Sequence, residues 1–235
     1  MWAEPIKHSR KRGAIVELGL LYKNNGNQRL LDMLGAKPGA LLDCGCGPGD
    51  NARMLSRTGW RVTGITIDPD EQVAARPYCD LTIRADLENG LPREIAGVHY
   101  DVVLMSHILE HLARPKTLLL DAFTNLQPNG ILAVALPNVL HYRQRILLLR
   151  GKFEYTDTGI LDRTHLRFYT VQTARELLET AGFAILEQEF EGGLPWRGLR
   201  HVVPASLRRR LDDAALRRWP GLFAWQSLLT ARPNP

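Results

Sequence analysis

Leu41-Leu42-Asp43-Cys44-Gly45-Cys46-Gly47-Pro48-Gly49 is the stretch of the 235-residue chain that decides its fold. It starts as a short apolar run, typical of a buried strand, and ends in three glycines separated by single residues. Because these glycines carry no side chain, the backbone can turn tightly there and approach a ligand closely. Asp50 and Asn51 then supply N-cap chemistry for a following helix. The stretch therefore predicts a strand, a ligand-binding turn and a helix.

The glycine spacing distinguishes this turn from two other nucleotide-binding turns. Gly-x-Gly-x-Gly differs from the Gly-x-Gly-x-x-Gly that binds the pyrophosphate of a dinucleotide, and the Gly-Lys-Ser/Thr of a P-loop is absent. A nicotinamide-dependent oxidoreductase would share the β-α-β arrangement but not this spacing.

Short apolar runs alternate with helical stretches from residue 26 to 136, which predicts β-α-β units and a parallel sheet. Strands are predicted at 40–43, 61–67, 81–83, 101–105 and 131–135. Helices are predicted at 28–35, 50–58, 70–75 and 115–126. The sequence Gln127-Pro128-Asn129-Gly130 predicts a turn before the fifth strand.

The chain changes character after Leu136. Residues 137–170 are rich in His, Arg, Tyr and Asp, and we expect them to form a lid over the sheet edge. A helix is predicted at 171–181 with Gly182 as its stop signal, then a sixth strand at 183–190. Pro204 begins a basic amphipathic helix with an apolar face of Leu207, Leu211, Ala214 and Ala215, and a final strand is predicted at 222–231.

Polar groups follow three further predicted strands. Asp68 comes nineteen residues after Gly49, where a carboxylate can accept hydrogen bonds from both ribose hydroxyls of an adenosine. Asp86 follows the third strand, where an acceptor can meet the adenine amino group, and Ser106-His107 follow the fourth. All reach the carboxyl edge of the sheet, where open α/β sheets bind ligands. Alternatively, Asp68 caps the next helix and Asp86 forms a turn.

These motifs, in this order, resemble those of class I S-adenosylmethionine-dependent methyltransferases over residues 26–190. They are Asp43-x-Gly45-x-Gly47-x-Gly49, Asp68, Ala85-Asp86-Leu87 and Asp101-Val102-Val103 with Leu109-Glu110-His111-Leu112. The resemblance implies that the glycine turn holds the methionine moiety of S-adenosylmethionine, the acid after strand two the ribose and the acid after strand three the adenine. The cofactor-binding residues predicted on this basis are Asp43, Gly45, Cys46, Gly47, Gly49, Asp68, Pro69, Asp86, Leu87, Ser106 and His107.

The resemblance implies one α/β domain over residues 1–235, with a Rossmann-like, doubly wound, mostly parallel seven-stranded sheet and an antiparallel last strand. Its parts are an N-terminal cap (1–27), a cofactor-binding core (28–136), the inserted lid (137–170) and a C-terminal part of the sheet with the basic helix (171–235).

A narrower likeness concerns the possible acceptor. The Leu-Glu-His-Leu run is shared with proteins similar to ubiquinone-biosynthesis O-methyltransferases and MetW-like proteins. Pro137-Asn138-Val139 and residues 159–169 resemble a subset that often accompanies glycan or natural-product biosynthesis. This implies O-methylation of a small-molecule or carrier-bound acceptor, such as a sugar or secondary metabolite. The alternatives are a non-catalytic cofactor-binding partner or regulator, and methylation of an amine or carboxylate.

A hydroxyl acceptor calls for a base near the methyl group. His165 is the first candidate, with Asp162 as its orienting partner, since the pKa of histidine suits the task. His107 is a second candidate, because Glu110 and His111 follow within one helical turn. The alternatives are a lid held by ion pairs and a set of helix-capping groups.

Other lid residues are candidates for substrate binding. Arg163 and Arg167 are four apart and could clamp an acidic substrate group. Tyr22, before the first strand, could close over the cofactor, although a simple turn competes. Asn138 is expected to fix the lid. The predicted substrate-binding residues are Tyr22, His141, Arg163, Arg167 and Tyr169.

Charge and cysteine content narrow the partners and the compartment. The net charge of +5 is concentrated at the ends: residues 1–12 carry four basic and one acidic side chain, and residues 192–235 carry eight arginines and two aspartates. Arg208–Arg210 and Arg217–Trp219 could therefore contact an anionic membrane, or form a solvated helix face.

We expect a cytoplasmic protein, because Cys44, Cys46 and Cys79 form no paired framework and the chain has neither a secretory signal nor an 18-residue apolar run. No metal site is expected in the chain; at Cys44-x-Cys46 no second cysteine pair or nearby histidine supports one. Nucleic acid is not expected as an acceptor, since a base-flipping motif and a recognition domain are absent.

Overall fold

The computed structural model describes residues 25–35, 37–196, 198–199 and 201–234. Within these ranges seven strands form one sheet in the order β3-β2-β1-β4-β5-β7-β6. The strands are β1 Ala40–Cys44, β2 Arg61–Thr66, β3 Leu81–Arg84, β4 Tyr100–Ser106, β5 Leu126–Pro137, β6 Phe183–Gly192 and β7 Ala224–Pro233. Strands β1 to β5 pair in parallel, and β7 lies antiparallel between β5 and β6. The predicted mostly parallel sheet with an antiparallel last strand is confirmed.

Helices cover both faces of the sheet. They are α1 Gln28–Asp32, α2 Asp50–Leu55, α3 Pro69–Ala75, α4 Pro115–Asn125, α5 Tyr142–Leu149, α6 Val171–Thr180, α7 Ala205–Arg218 and α8 Pro220–Phe223. Leu42 packs in one core cluster with residues of α4 and α6, whereas its neighbour Leu41 packs in the other with residues of α1 and α2. Adjacent strand residues thus point to opposite buried faces, as expected for a sheet buried on both sides.

Some predicted boundaries were wrong. Helices α1 and α2 are shorter than expected. Residues 127–130 form a bulge within β5, since Tyr100 pairs with Leu126 but Val102 pairs with Ile131. The lid also contains helix α5, which was not predicted because no side chain of that helix is buried and its apolar residues follow no single stripe.

The predicted apolar face of α7 is largely exposed. Leu207 and Leu211 are 46% and 41% exposed, and the residues that the helix buries are Ala215 and Leu216. The described residues include no helix long and apolar enough to cross a membrane.

The lid is held over the carboxyl edge of the sheet by backbone hydrogen bonds. The N–H groups of Leu166 and Arg167 donate to the carbonyl of Glu110, at 2.9 and 3.0 Å. Asn138, which is 1% exposed, donates its amide to the carbonyls of Gly221 and Ala224. Asn138 therefore fixes the base of the lid, as the sequence predicted.

Candidate active site

A cavity of about 1320 Å³ lies at the carboxyl edge of the sheet, under the lid. The glycine turn, the ends of β2, β3 and β4, the lid and β7 contribute to its wall. A typical small-molecule site has about 300–1,000 Å³. The cavity therefore has room for a cofactor and a second molecule together.

The three glycines of the turn have different structural roles. All have positive φ, 79° at Gly45, 53° at Gly47 and 87° at Gly49. A Cβ on Gly45 would lie 3.0 Å from the Ile108 side chain, so this glycine lets the turn pack against the end of β4. A Cβ on Gly47 would meet only Glu71 Oε1, at 3.9 Å, so its backbone is open to a ligand. Gly45 and Gly47 line the cavity and Gly49 does not.

Asp43, directly before this turn, is an unpartnered buried carboxyl. It is fully buried, and neither oxygen has a hydrogen-bond partner among the described residues. Burial raises the pKa of Asp43 to about 7, an effect that the nearby Asn51 amide reduces. Asp43 does not line the cavity, in contrast to its predicted role as a cofactor contact.

Cys46 stands outside the cavity wall, in contrast to its predicted role as a cofactor contact. It is buried, its thiol donates to the carbonyl of Gly47, and burial raises the pKa of the thiol. Its side chain supports the turn from behind.

The acid that faces the cavity after β2 is Glu71, not Asp68. Asp68 caps α3, because its Oδ1 accepts hydrogen bonds from the N–H groups of Asp70 and Glu71 at 2.8 and 3.0 Å. Thr66 and Glu71 line the cavity and are joined by a 2.6 Å hydrogen bond from Thr66 Oγ1 to Glu71 Oε2. Asp68 itself lies outside the cavity wall, because α3 begins at Pro69, one residue before its predicted start, and uses that carboxylate as its cap. Pro69 does not line the cavity either.

The end of β3 lines the cavity as predicted. Asp86 and Leu87 both contribute to the wall. Asp86 also caps a short 3₁₀ helix, Leu87–Asn89, by accepting from the N–H of Glu88 at 2.9 Å. The turn-forming alternative therefore also holds for this residue.

His107, directly after β4, has a hydrogen-bond acceptor beside each of its ring nitrogens. Among the non-glycine residues that the structure describes, His107 alone has a positive φ, of 56°. Its Nδ1 lies 3.1 Å from Glu110 Oε1, and its Nε2 lies 2.7 Å from Gln226 Oε1. Burial alone lowers the pKa of His107, but the hydrogen bond and charge of Glu110, with Gln226 and Glu191, raise it above its usual value. With both nitrogens on acceptors, His107 is poorly suited to take a proton.

His165 is held in the neutral form. Its side chain is 6% exposed, its Nδ1 lies 3.1 Å from the carbonyl oxygen of Ile160, and its Nε2 lies 4.0 Å from Glu110 Oε1. The carbonyl requires Nδ1 to donate, so the lone pair is on Nε2. Burial lowers the pKa of His165, although the charge of Glu110 opposes this.

Asp162 orients His111 rather than His165. The Thr164 hydroxyl donates to Asp162 Oδ1 at 2.6 Å, and Thr164 Oγ1 lies 3.1 Å from His111 Nδ1. The predicted pairing of Asp162 with His165 is thus corrected. The Asp162 carboxylate does not bond the His165 ring, because its Oδ1 accepts hydrogen bonds from both the N–H and the hydroxyl of Thr164, two residues further along the chain.

The predicted arginine clamp does not form. Arg163 pairs with Asp157 at 2.7 Å on the surface, and Arg167 donates to the carbonyl of Ala113. Residues 163–167 are not helical, so a spacing of four does not place their side chains on one face. Tyr169 lies with Arg167 at a second, smaller cavity.

Of the remaining substrate-binding predictions, His141 lines the main cavity. Burial, aided by the charge of Arg143, lowers the pKa of His141 to about 4. Tyr22 lies outside the described residues.

Comparison with known proteins assigns the chain to a family. A profile of the methyltransferase domain family matches residues 22–188. The chain belongs to this family. The chain is 35% identical over 101 residues to the ubiquinone biosynthesis O-methyltransferase of Azorhizobium caulinodans. The aligned stretch covers 42% of this chain and 40% of that protein. The alignment thus spans about two fifths of the length of this relative and of the ubiquinone biosynthesis O-methyltransferase of Maricaulis maris.

Solved structures share the fold of the methyltransferase. A SAM-dependent methyltransferase from Archaeoglobus fulgidus superposes with a TM-score of 0.59 at 20% identity, covering 86% of this chain and 90% of that one. The 1,6-didemethyltoxoflavin-N1-methyltransferase of Burkholderia thailandensis, with bound S-adenosylhomocysteine, gives a TM-score of 0.55 at 18% identity, covering 88% and 76%. The chain therefore has the fold of S-adenosylmethionine-dependent methyltransferases.

Sequence reasoning missed several residues of this methyltransferase site. Glu191 and Gln226 reach the cavity from the last two strands of the sheet, and Thr164 supports it from the lid. Gln226 follows His107 by 119 positions, so no local spacing connects them. Of the missed residues, Glu71 alone could have been found from the sequence, because it is an acid one helical turn after the predicted ribose contact Asp68.

Proposed function

We propose that this methyltransferase transfers a methyl group to a hydroxyl oxygen of a small-molecule or carrier-linked acceptor, such as a sugar or secondary metabolite. One observation carries the proposal: the glycine turn and the His165–Glu110 group lie in the wall of the same cavity. Ile108 connects the two, because it packs against Gly45 and stands between His107 and the 3₁₀ helix Leu109–His111.

The residues of the chain act by binding, orientation and exclusion of water. S-adenosylmethionine, when bound, supplies an electrophilic methyl group on a sulfonium. Gly45 and Gly47 would hold its methionine end, Glu71 its ribose and Asp86 its adenine. The lid covers the cavity, which favours an in-line displacement because it limits water around the reacting atoms. The hydroxyl of the acceptor would lie beside His165, whose Nε2 carries a lone pair.

An oxygen acceptor is favoured by two facts. The relative from Azorhizobium caulinodans is named as an O-methyltransferase. A hydroxyl must lose a proton when it is methylated, and the cavity wall contains a neutral histidine next to a buried carboxylate. An amine or a carboxylate acceptor would have less need of such a group.

Turnover tests the proposal. Release of S-adenosylhomocysteine is measured with a panel of sugars, phenols, amines and carboxylic acids. We expect product with hydroxyl compounds, and His165→Ala to lose turnover at least about 100-fold, the lower range for general-base catalysis, with cofactor affinity retained. His99→Ala, an exposed histidine outside the cavity, is the matched control. Tight cofactor binding without turnover on any acceptor would instead favour a non-catalytic partner.

The acceptor or its carrier could lie at an anionic surface. Helix α7 exposes Arg209, Arg210, Arg217 and Arg218, and none of them forms an ion pair with another described residue. Trp219 is 54% exposed beside them, with the Arg218 guanidinium 5.3 Å from its ring centre. Arginines next to an exposed tryptophan suit the interface of an anionic bilayer.

Liposome co-sedimentation tests this part of the proposal. We expect more protein to sediment with anionic than with neutral vesicles, and the double variant R209E/R210E to lose the difference. Equal recovery of the wild type with both vesicles would leave α7 as a solvated helix.

A further inference from the structure

We propose that Glu110, His111 and His165 bind a divalent transition-metal cation, with Zn²⁺ as the best chemical match. The inference rests on the proposed function and specifies how the acceptor hydroxyl is activated. Each of the three residues offers a ligand atom, and these atoms all lie within 4.8 Å of one another. All three residues line the main cavity, so a cation between them would lie at its wall, where the acceptor would bind.

Glu110 supplies the negative charge of the site. Its side chain is completely buried, and Oε1 accepts from His107 Nδ1 at 3.1 Å. Oε2 is buried and has no hydrogen-bond partner in the part of the chain that the structure describes. A buried carboxylate oxygen without a partner lowers the stability of the fold, because it has lost its hydrogen bonds to water and no protein group replaces them. A cation at Oε2 would remove this cost.

Both histidines are oriented to present a free Nε2. The carbonyl of Ile160 takes up Nδ1 of His165, and the Thr164 hydroxyl takes up Nδ1 of His111. The hydroxyl itself donates to Asp162, so it accepts the proton of His111 Nδ1. Protein ligands of metals are typically held in this way, by a carbonyl or a carboxylate behind the second imidazole nitrogen. The two rings lie at 74° with their centres 4.7 Å apart.

The set of donors selects the kind of cation. Two imidazoles and one carboxylate bind Zn²⁺ and other first-row divalent ions and leave coordination positions open for water or substrate. Mg²⁺ and Ca²⁺ prefer sites made of oxygen ligands only. We therefore expect Zn²⁺ and Co²⁺ to bind more tightly than Mg²⁺.

A cation here would change the role of His165 from base to ligand. The hydroxyl oxygen of the acceptor would occupy an open position, and the positive charge would lower the pKa of that hydroxyl. Its proton would pass to solvent water. The resulting oxyanion would form the new O–CH₃ bond as the S–CH₃ bond of the sulfonium breaks, and its electron pair would remain on sulfur in neutral S-adenosylhomocysteine.

Metal binding itself is the first test. Tag-free full-length protein is dialysed against a chelator and titrated with Zn²⁺ by calorimetry and with Co²⁺ by visible absorption. We expect a single equivalent of each to bind, with the d–d bands of a Co²⁺ site that has nitrogen ligands. His111→Ala and His165→Ala should each weaken binding at least about tenfold, and Thr164→Val about 10- to 100-fold through the orientation of His111.

The controls separate a lost ligand from a lost fold. Retained affinity for S-adenosylhomocysteine shows that a variant is folded, and His99→Ala should bind both metals as the wild type does. Absence of binding, or binding that neither His111→Ala nor His165→Ala weakens, would overturn the inference.

Activity separates this inference from the proposed function. We expect chelated enzyme to lose turnover and to regain it with Zn²⁺ or Co²⁺. Full turnover in excess chelator would overturn the cation site and leave O-methylation by His165 as a general base intact. Metal binding at these residues without turnover on any hydroxyl acceptor would contradict the proposed function while the cation site stands.

Discussion

At the scale of single residues, the clearest difference between the sequence prediction and the structure is the acid that faces the cavity after β2. Asp68 has the residue type and spacing expected of a ribose contact, but its carboxylate is taken up by the first turn of α3. Glu71 extends into the cavity instead, supported by Thr66. A helix N-terminus competes for a nearby carboxylate because its first N–H groups have no partner within the helix.

We therefore predict that Glu71→Gln weakens binding of S-adenosylmethionine by about 10- to 100-fold, the effect of losing a hydrogen bond to a charged group. Asp68→Ala should keep the affinity within about twofold and lower the free energy of unfolding by about 1 kcal/mol, through loss of the cap. Calorimetry and urea unfolding measure the two effects.

Asp68→Asn is the control, because asparagine caps a helix as well as aspartate does but carries no charge. An affinity loss in Asp68→Asn equal to that in Glu71→Gln would return the ribose contact to Asp68.

The buried carboxyl of Asp43 predicts a pH dependence of stability. Its pKa is about 7 in the folded chain against an ordinary value of 3.8, so the folded state binds this proton more tightly. The stabilisation by this proton is complete below about pH 4 and is lost as the pH rises towards 7, by up to on the order of 4 kcal/mol. Asp43→Asn lacks the titrating group. Between pH 5 and 8, urea unfolding should show a larger loss for the wild type than for Asp43→Asn; parallel curves would contradict this.

At the scale of elements, the glycine turn shows how one motif serves packing and binding together. Gly49 is the N-cap of α2, and a Cβ there would lie 3.0 Å from the Ala75 Cα at the end of α3. Gly47 has open space at the same position. Both residues have positive φ, so a side chain strains the backbone at either site.

We predict opposite main effects for the two alanine substitutions. Gly49→Ala should lower the free energy of unfolding by about 1–3 kcal/mol, as expected for overpacking, and leave cofactor affinity largely intact. Gly47→Ala should chiefly weaken the cofactor, since its new methyl group projects into the cavity. Thermal unfolding and calorimetry on both variants provide the test, and equal effects of the two on affinity would contradict the assignment.

The lid shows the limit of spacing arguments at this scale. A spacing of four brings two side chains together only in a helix, but the segment that holds Arg163 and Arg167 is irregular and the two residues bind different partners. The helix that the lid does contain, α5, buries none of its side chains. Apolar residues recur at helical spacing because one face of a helix is buried. Helix α5 buries no face, so its sequence carries no such pattern from which the helix could be predicted.

At the scale of the whole molecule, the cavity is formed by segments from residue 25 to residue 226, so a ligand there should stabilise the fold as a unit. At 100 times its Kd, S-adenosylhomocysteine should raise the free energy of unfolding by about 2.7 kcal/mol. For a chain of this length this corresponds to a rise in Tm of about 5–10 °C. Differential scanning calorimetry measures it, with NAD as the control. A Tm raised equally by NAD would contradict the glycine-spacing argument.

The sequence by itself predicted the class of the fold, which the structure confirms, and S-adenosylmethionine as the cofactor, because both predictions depend on local patterns. Apolar runs of strand length, glycines at a fixed spacing and acids at strand ends all act through the backbone around them. Only the tertiary structure decided which carboxylate faces the cavity after β2, which groups lie beside the ring nitrogens of His107 and His165, and that Glu110 meets His111 and His165. These contacts join residues far apart in the chain, and they depend on lid and strand packing that no local pattern encodes.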